Sequence, residues 1–119
     1  MKKLIIFLLL VFLVGCKASF EDEYPMFKDQ EHIYQIANYD EVISAFTVEE
    51  GAHLILFAFK ECPYCQLTMP LINEAALELG FEKILYFDIK SMRSNNTAEY
   101  QLLLGYLDSK VGDLDIRDR

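Results

Sequence analysis

Positive charge is scarce in this sequence. Eleven lysines and arginines stand against 19 aspartates and glutamates among 119 residues, and the formal net charge is −8 at pH 7. DNA, RNA and anionic lipid surfaces are bound largely through Lys and Arg side chains. The charge balance therefore argues against a nucleic-acid partner and against binding to anionic lipid by charge.

Cysteine and histidine, the usual ligands of structural zinc sites, are also few. The chain has three cysteines and two histidines, whereas a structural zinc site takes four ligands, typically from two Cys-x-x-Cys-like halves. One such half is present, at Cys62 and Cys65. His53 opens an apolar run and is better explained as a half-buried structural histidine. We therefore predict no metal site and no cofactor.

The sequence lacks an apolar run that could cross a bilayer. Residues 4–14 are an unbroken apolar run of eleven residues, whereas a spanning helix needs about 20. The run follows Lys2 and Lys3, and a short apolar run after positive charge is typical of an export signal. We expect residues 1–15 to be a signal peptide.

A second export signal closes this run. Residues 13–16 read Leu-Val-Gly-Cys, which resembles the lipobox of bacterial lipoproteins. In that family a peptidase cuts before the cysteine, whose thiol carries a diacylglycerol. The resemblance implies lipidation of Cys16, with palmitate-type acyl chains that insert into a lipid bilayer. An ordinary signal peptide with a chance cysteine and an uncleaved anchor are the alternatives. Two acyl chains are enough for stable anchoring.

The next segment is polar and acidic, and we predict a flexible tether over residues 16–30 that starts at the lipidated cysteine. Four apolar residues in it are able to dock on the domain that follows: Phe20, Tyr24, Met26 and Phe27.

Three apolar segments predict β-strands, at residues 33–36, 53–59 and 83–89. The second and third are continuous apolar runs, typical of strands that are buried on both faces of a parallel sheet. A right-handed βαβ unit connects two such strands. We therefore predict an α/β domain over residues 31–119.

Capping residues and helical periodicity predict a helix after each of the three strands. Asn38 or Asp40 can cap the first helix, and Asn96 or Thr97 can cap the last, after a polar loop over residues 91–96. The middle helix runs from the cysteine pair to about Leu79, with Gly80 past its end. We predict its apolar face from four positions: Leu67, Leu71, Ala75 and Leu79.

The cysteine pair lies where a strand ends and this helix begins. An exported compartment permits disulfides, but two intervening residues constrain the unfolded chain little, so the spacing suits redox exchange better than stabilisation. Free N–H groups and the helix dipole stabilise a thiolate at that end, and such cysteines have pKa values of about 3.5–7.5. We assign Cys62 as the attacking thiol and Cys65 as the resolving one. An inert short disulfide is the alternative.

Three neighbours can support the pair. Pro63 falls in the first helical turn, where its missing N–H costs nothing, and Tyr64 is expected to be exposed beside Cys62. Lys60 can add positive charge, although Glu61 opposes it, and a solvated lysine at a strand end is the simpler interpretation.

The segment around the pair resembles the active site of the thioredoxin superfamily. Residues 57–65 read Phe-Ala-Phe-Lys-Glu-Cys-Pro-Tyr-Cys, and the Cys-Pro-Tyr-Cys tetrad is the glutaredoxin form, in which the aromatic lies at the substrate face. Pro70 matches the proline that kinks the active-site helix of thioredoxins, and Asp88 ends the next strand as acids often do there. The resemblance covers roughly residues 31–107. It is strongest to thioredoxin-like lipoproteins and bacteriocin-transport accessory proteins of Gram-positive bacteria.

The sequence departs from the family in two ways. Leu56 stands where thioredoxins have a buried aspartate on the strand before the motif. The family also places a cis-proline loop opposite the cysteines, whereas this chain has only Pro25, Pro63 and Pro70. Residues 108–119 contain no proline and no strand-like run. We therefore expect a thioredoxin-like three-layer fold with a βαβ core that lacks the C-terminal β-hairpin and last helix. The chain would be a truncated product, a fragment, or a variant completed by a partner, and we favour truncation.

The resemblance implies a thiol–disulfide oxidoreductase tethered to the outer face of the cell membrane. Its partners would be the thiols and disulfides of exported proteins or peptides, together with a membrane or extracytoplasmic redox partner. A non-enzymatic accessory or binding lipoprotein and an inactive truncated product are the alternatives.

Overall fold

A computed structural model describes residues 18–48 and 50–111. The predicted signal peptide at residues 1–15 and the predicted lipidation site Cys16 lie outside the described residues, as do residues 112–119. Within the described part of the chain, no helix is long and apolar enough to cross a membrane.

The described chain alternates helices with three short strands. The strands are β1 (Tyr34–Ile36), β2 (Ile55–Ala58) and β3 (Ile84–Asp88). A 3-10 turn (Pro25–Phe27) follows the first helix. The helices are α1 (Phe20–Glu23), α2 (Tyr39–Thr47), α3 (Pro63–Glu78), α4 (Lys90–Asn95) and α5 (Ala98–Val111).

The three strands form one parallel sheet in the order β1-β3-β2. The register places Tyr34 beside Ile84, and Leu56 beside Tyr86. A parallel neighbour requires a crossover, which α3 supplies between β2 and β3. The predicted fold class is thereby confirmed: the domain is a mixed α/β structure with helices flanking a parallel sheet, consistent with a thioredoxin-like α/β fold.

Burial differs between the central strand and its neighbour. The four residues from Ile84 to Phe87 of β3 are buried, whereas those from Ile55 to Phe57 of β2 are only partly buried. Within the described residues β2 has a strand neighbour on one side only. The prediction that residues 53–59 form a strand buried on both faces is therefore wrong, because β2 lies at the edge of the described sheet.

The two faces of the sheet carry separate cores. Alternate side chains of a strand point to opposite faces, so Ile84 and Tyr86 of β3 pack with α3, while Leu85 and Phe87 pack with α2 and α5. The α3-side core consists of Phe20, Tyr24, Phe27, Tyr34, Ala58, Met69, Ala76, Ile84 and Tyr86. The α5-side core consists of Ala37, Val42, Ala45, Leu85, Phe87 and Leu103.

The segment before β1 is folded against the α3-side core. The ring of Phe20 stacks on that of Tyr34, with 4.8 Å between centroids. Three of the four apolar side chains in this segment are buried: Phe20, Tyr24 and Phe27. The fourth, Met26, is 37% exposed. Residues 20–27 thus pack as part of the domain, where the sequence pattern indicates a tether over residues 16–30. The free energy gained by burying three aromatic rings favours this packing. The polar neighbours of these rings remain largely at the surface, so they do not oppose it.

Capping side chains fix the start of α2 and of α5. The Asn38 side chain accepts the N–H of Glu41 at 2.9 Å, and the Glu41 carboxylate accepts the N–H of Asn38 at 2.7 Å. Before α5, the Thr97 hydroxyl accepts the N–H of Tyr100 at 3.2 Å. Of the alternative caps, the chain therefore uses Asn38 and Thr97.

The end of α3 agrees with its prediction. Gly80 has a φ of +80°, which an L side chain rarely adopts. Its N–H binds the carbonyl of Leu77 and the N–H of Phe81 binds that of Ala76, each at 3.0 Å. These two bonds satisfy carbonyl groups that the helix end would otherwise leave unpaired.

The polar loop predicted over residues 91–96 is wrong, because most of that segment lies in α4. The Asp88 carboxylate accepts the N–H of Lys90 at 2.8 Å at the start of the helix, and Asn96, with a φ of +47°, ends it. None of the residues of α4 is buried. A helix this short and exposed leaves no apolar periodicity in the sequence.

The predicted apolar face of α3 is also wrong. The side of the helix that meets the sheet carries Met69, Asn73 and Ala76. The four residues predicted to be buried are all exposed: Leu67, Leu71, Ala75 and Leu79. Asn73 lies on the buried face because its amide binds backbone groups just before β1. A prediction based on apolar positions alone therefore misses this face.

Candidate functional site

Cys62 occupies the N-cap position of α3, between β2 and the helix. Its backbone is extended, its N–H donates to the carbonyl of Phe59 at 3.1 Å, and its own carbonyl accepts the N–H of Gln66 at 3.2 Å. Its sulfur accepts the N–H of Cys65 at 3.2 Å. The sulfur therefore takes the place of an ordinary capping oxygen, at the positive end of the helix dipole.

The two cysteines are joined as a disulfide, with their Cα atoms 5.3 Å apart. Both side chains are partly exposed, and that of Cys65 packs against the α3-side core. The predicted pair is therefore brought together, with Cys65 backed by apolar side chains and Cys62 on the loop that leads into the helix.

The first turn of α3 presents the rest of the tetrad to solvent. Pro63 is the first helical residue and is exposed, and Tyr64 is 79% exposed. This turn contains no acidic residue. Negative charge on the Cys62 sulfur thus meets no carboxylate from the first turn of its own helix.

The charged residues next to the motif include an ion pair that the sequence did not predict. Glu61 forms an ion pair with Lys90, whose nitrogen lies 2.7 Å from the carboxylate, and this hydrogen bond holds the pKa of the Glu61 carboxyl below its ordinary value. Lys60 is exposed, and its carbonyl accepts a hydrogen bond from the Gln66 side chain. Lys90 therefore compensates the charge of Glu61, and Lys60 adds a smaller attraction.

Lys90 is a site neighbour that the sequence analysis missed. It follows β3 directly, while Glu61 lies a few residues after β2. The carboxyl ends of adjacent parallel strands meet at one edge of a sheet. That rule, applied to β2 and β3, could have indicated the contact between these two residues.

Two tyrosine hydroxyls provide polar atoms in the core behind the motif. Leu56 is partly buried against the α3-side core and lies beside Tyr86 in the sheet. The hydroxyl groups of Tyr86 and Tyr24 are 2.8 Å apart and buried. Burial is the main reason that the pKa of each is raised. The negative charges of Glu23, Asp88 and Glu61 raise the pKa of Tyr24 further, in that order of size.

Pro70, His32 and His53 lie outside the motif that Cys62 and Cys65 enclose. Pro70 is inside α3 and partly buried, where it cannot donate a hydrogen bond to the preceding turn. His32 contacts the Glu21 carboxylate at 2.6 Å and accepts the N–H of Tyr34 at 3.2 Å. His53 precedes β2 and the cysteines follow it, so the strand separates them. The described residues contain no group of three metal-ligating side chains.

Comparison with known proteins gives no relative for this chain. No protein-family model matches it. Neither the curated proteins nor the solved structures contain a match. Functional conclusions therefore depend on the chain's own residues.

Proposed function

We propose that this chain is a membrane-tethered, extracytoplasmic thiol–disulfide oxidoreductase of the thioredoxin type. The observation that carries the proposal is the position of Cys62 at the N-terminus of α3, with its sulfur on the N–H of Cys65. That position favours the thiolate, which is the nucleophile in disulfide exchange. The resemblance of residues 57–65 to the thioredoxin active site supports the same chemistry.

The reaction has two displacements. The Cys62 thiolate attacks one sulfur of a substrate disulfide, a mixed disulfide forms, and the second substrate sulfur leaves as a thiolate that takes a proton from water. The Cys65 thiolate then attacks the Cys62 sulfur and releases the first substrate sulfur. Two electrons pass from the cysteine pair to the substrate. A dithiol redox partner returns them, and in the reverse direction the pair oxidises its substrate.

The tether is proposed from the sequence. The signal at residues 1–15 and the lipobox before Cys16 support export and lipidation, which would place the domain on the outer face of the cell membrane. The formal net charge of −8 leaves the acyl chains as the anchor, because an acidic domain gains little from anionic lipid.

A thioredoxin-like binding lipoprotein without redox chemistry is the second candidate. The observation that favours it is Leu56, which packs against the α3-side core and offers no internal base to the cysteines. In that case the disulfide would be static, and a variant with both cysteines replaced would keep the cellular phenotype.

Single cysteine substitutions in the full chain test the proposed function. We expect Cys65→Ser to accumulate a mixed disulfide with an oxidised peptide, because the resolving thiol is gone. We expect Cys62→Ser to lose exchange by about 100-fold or more, because the remaining thiol is not at the N-cap position and packs against the α3-side core. Mass spectrometry of acid-quenched mixtures measures both species. The double variant is the background control, and undiminished exchange by Cys62→Ser would show that the attacking thiol is assigned wrongly.

A further inference from the structure

Three large side chains on the outer side of α3 are exposed beside the cysteines. Tyr64 is 79%, Leu67 73% and Leu71 65% exposed. Their spacing of three and four residues places them on one face of the helix. We call these three residues the outer α3 patch. Contiguous exposed apolar side chains, unlike scattered ones, mark sites of interaction.

Acidic residues continue the same face. Glu74 and Glu78 follow Leu71 at three- and four-residue steps along α3 and are exposed. The helix contains no lysine or arginine. Among the described residues, no ion pair joins either glutamate to a basic side chain. The outer face of α3 is therefore apolar at the end next to the cysteines and negatively charged at the other.

The patch adjoins the proposed reaction centre. Tyr64 lies between the two cysteines in the chain, and Leu67 is two residues beyond Cys65. Met69, Asn73 and Ala76 face the sheet, so the patch lies on the opposite side of α3, open to solvent. A polypeptide on the patch would extend along the helix with one end beside the sulfur atoms.

We propose that the outer face of α3 binds a cationic amphipathic polypeptide and presents its cysteine to Cys62. Apolar side chains of that polypeptide cover the outer α3 patch, and its Lys or Arg residues pair with Glu74 and Glu78. The proposal rests on the proposed function and names its substrate class. A second copy of this chain is a poor occupant, because both partners would carry a net charge of −8 and an acidic α3.

Two disulfide-bonded peptides of equal length test this substrate class. One has leucine and lysine at helical spacing, and the other has glutamate at every lysine position. The full chain, held in neutral-lipid nanodiscs and reduced, is mixed with each peptide, and the exchange rate constant is measured by thiol trapping. We expect about tenfold or more faster exchange with the cationic peptide at low salt. Most of that preference should disappear in about 1 M salt, where the screening length is about 3 Å.

Matched variants distinguish the contribution of the exposed leucines from that of the glutamates. Leu67→Ser/Leu71→Ser should slow exchange with the cationic peptide about tenfold, because apolar area is no longer covered. Glu74→Gln/Glu78→Gln should remove most of the charge preference and its salt dependence. Leu102→Ser, which changes a leucine of α5 that is 60% exposed, should leave the rates unchanged. Exchange with glutathione disulfide, which is too small to cover the patch, should be the same in Leu102→Ser as in the parent chain.

Each contrary result has a separate meaning. Equal rates with both peptides, alongside normal exchange with glutathione disulfide, would overturn the substrate class and leave the proposed function standing. Failure to exchange with glutathione disulfide would overturn the proposed function. In that case, calorimetric binding of both peptides to Cys62→Ser/Cys65→Ser still tests the surface, and equal affinity would overturn it. A dimer that Leu67→Ser/Leu71→Ser dissociates would also overturn it, in favour of a second copy.

Discussion

At the scale of single residues, the α3-side core depends on one pair of hydroxyl groups. Tyr24 and Tyr86 are 2% and 0% exposed, and their hydroxyls satisfy each other at 2.8 Å. A buried hydroxyl without a partner costs free energy, whereas removal of both hydroxyls leaves nothing unsatisfied. The two tyrosines are therefore coupled although 62 residues separate them in the chain.

A double-mutant cycle measures this coupling. We expect Tyr24→Phe and Tyr86→Phe each to lower the free energy of unfolding by about 1–3 kcal/mol. The double variant should lose less than the sum of the two. Urea unfolding followed by circular dichroism gives the values, and additive losses would show that the hydroxyls do not depend on each other. Tyr106→Phe, at a tyrosine that is 36% exposed, is the matched control.

At the scale of elements, Asn73 joins α3 to the start of β1. Its side-chain oxygen accepts the N–H of Ile33 at 3.0 Å, and its side-chain nitrogen donates to the carbonyl of Glu31 at 3.1 Å. The residue is 6% exposed. Both of its bonds serve backbone groups that lie before the strand, and it shares the buried face of α3 with Met69 and Ala76.

Replacement of this amide should loosen β1. We expect Asn73→Ala to lower the free energy of unfolding by about 1–3 kcal/mol, because two partly buried backbone groups lose their partners. The amide of Ile33 should then exchange its hydrogen faster than amides in β3, as hydrogen exchange read by NMR will show. Asn95→Ala, at an exposed amide of α4, should stay within about 0.5 kcal/mol of the parent. An equal loss in both variants would contradict the account of Asn73.

Asn73 also illustrates which features of the helices and strands could be predicted from the sequence and which could not. The strands, the caps at Asn38 and Thr97, and the stop at Gly80 follow from local chemistry and were predictable. The buried face of α3 was not, because a leucine series at helical spacing has the pattern of a core stripe. The partners of Asn73, the backbone groups of Ile33 and Glu31, are 40 and 42 residues away in the chain, and a local pattern does not reveal them.

At the scale of the whole molecule, the order of strands and helices was enough to predict a parallel α/β domain with the cysteine pair at a strand-to-helix junction. The same strand order indicates that Glu61 and Lys90, which follow neighbouring parallel strands, come close together. The packing of Phe20 on Tyr34 was not predictable in this way, because it requires the segment before β1 to fold back on the assembled sheet. The proposed tether belongs to this scale too, because it determines where the domain works.

Lipid labelling tests the tether. In a bacterial host that processes lipoproteins, we expect the full chain to incorporate labelled palmitate and to sediment with membranes. Cys16→Ser should lose the label, because the thiol that is alkylated is missing. Cys62→Ser/Cys65→Ser should keep the label, which shows that the signal comes from Cys16 alone. A label that persists in Cys16→Ser would contradict the lipoprotein proposal.

The measurement that tests the central claim most directly is the dithiol–disulfide equilibrium of Cys62 and Cys65 in the full chain. Glutathione buffers of graded ratio set the potential, and mass spectrometry counts trapped thiols on the peptide that carries both cysteines. The account predicts a reversible two-electron transition at one defined potential, approached equally from the reduced and the oxidised side. A pair that stays oxidised at every ratio, or that scrambles or aggregates without a reversible transition, would contradict it.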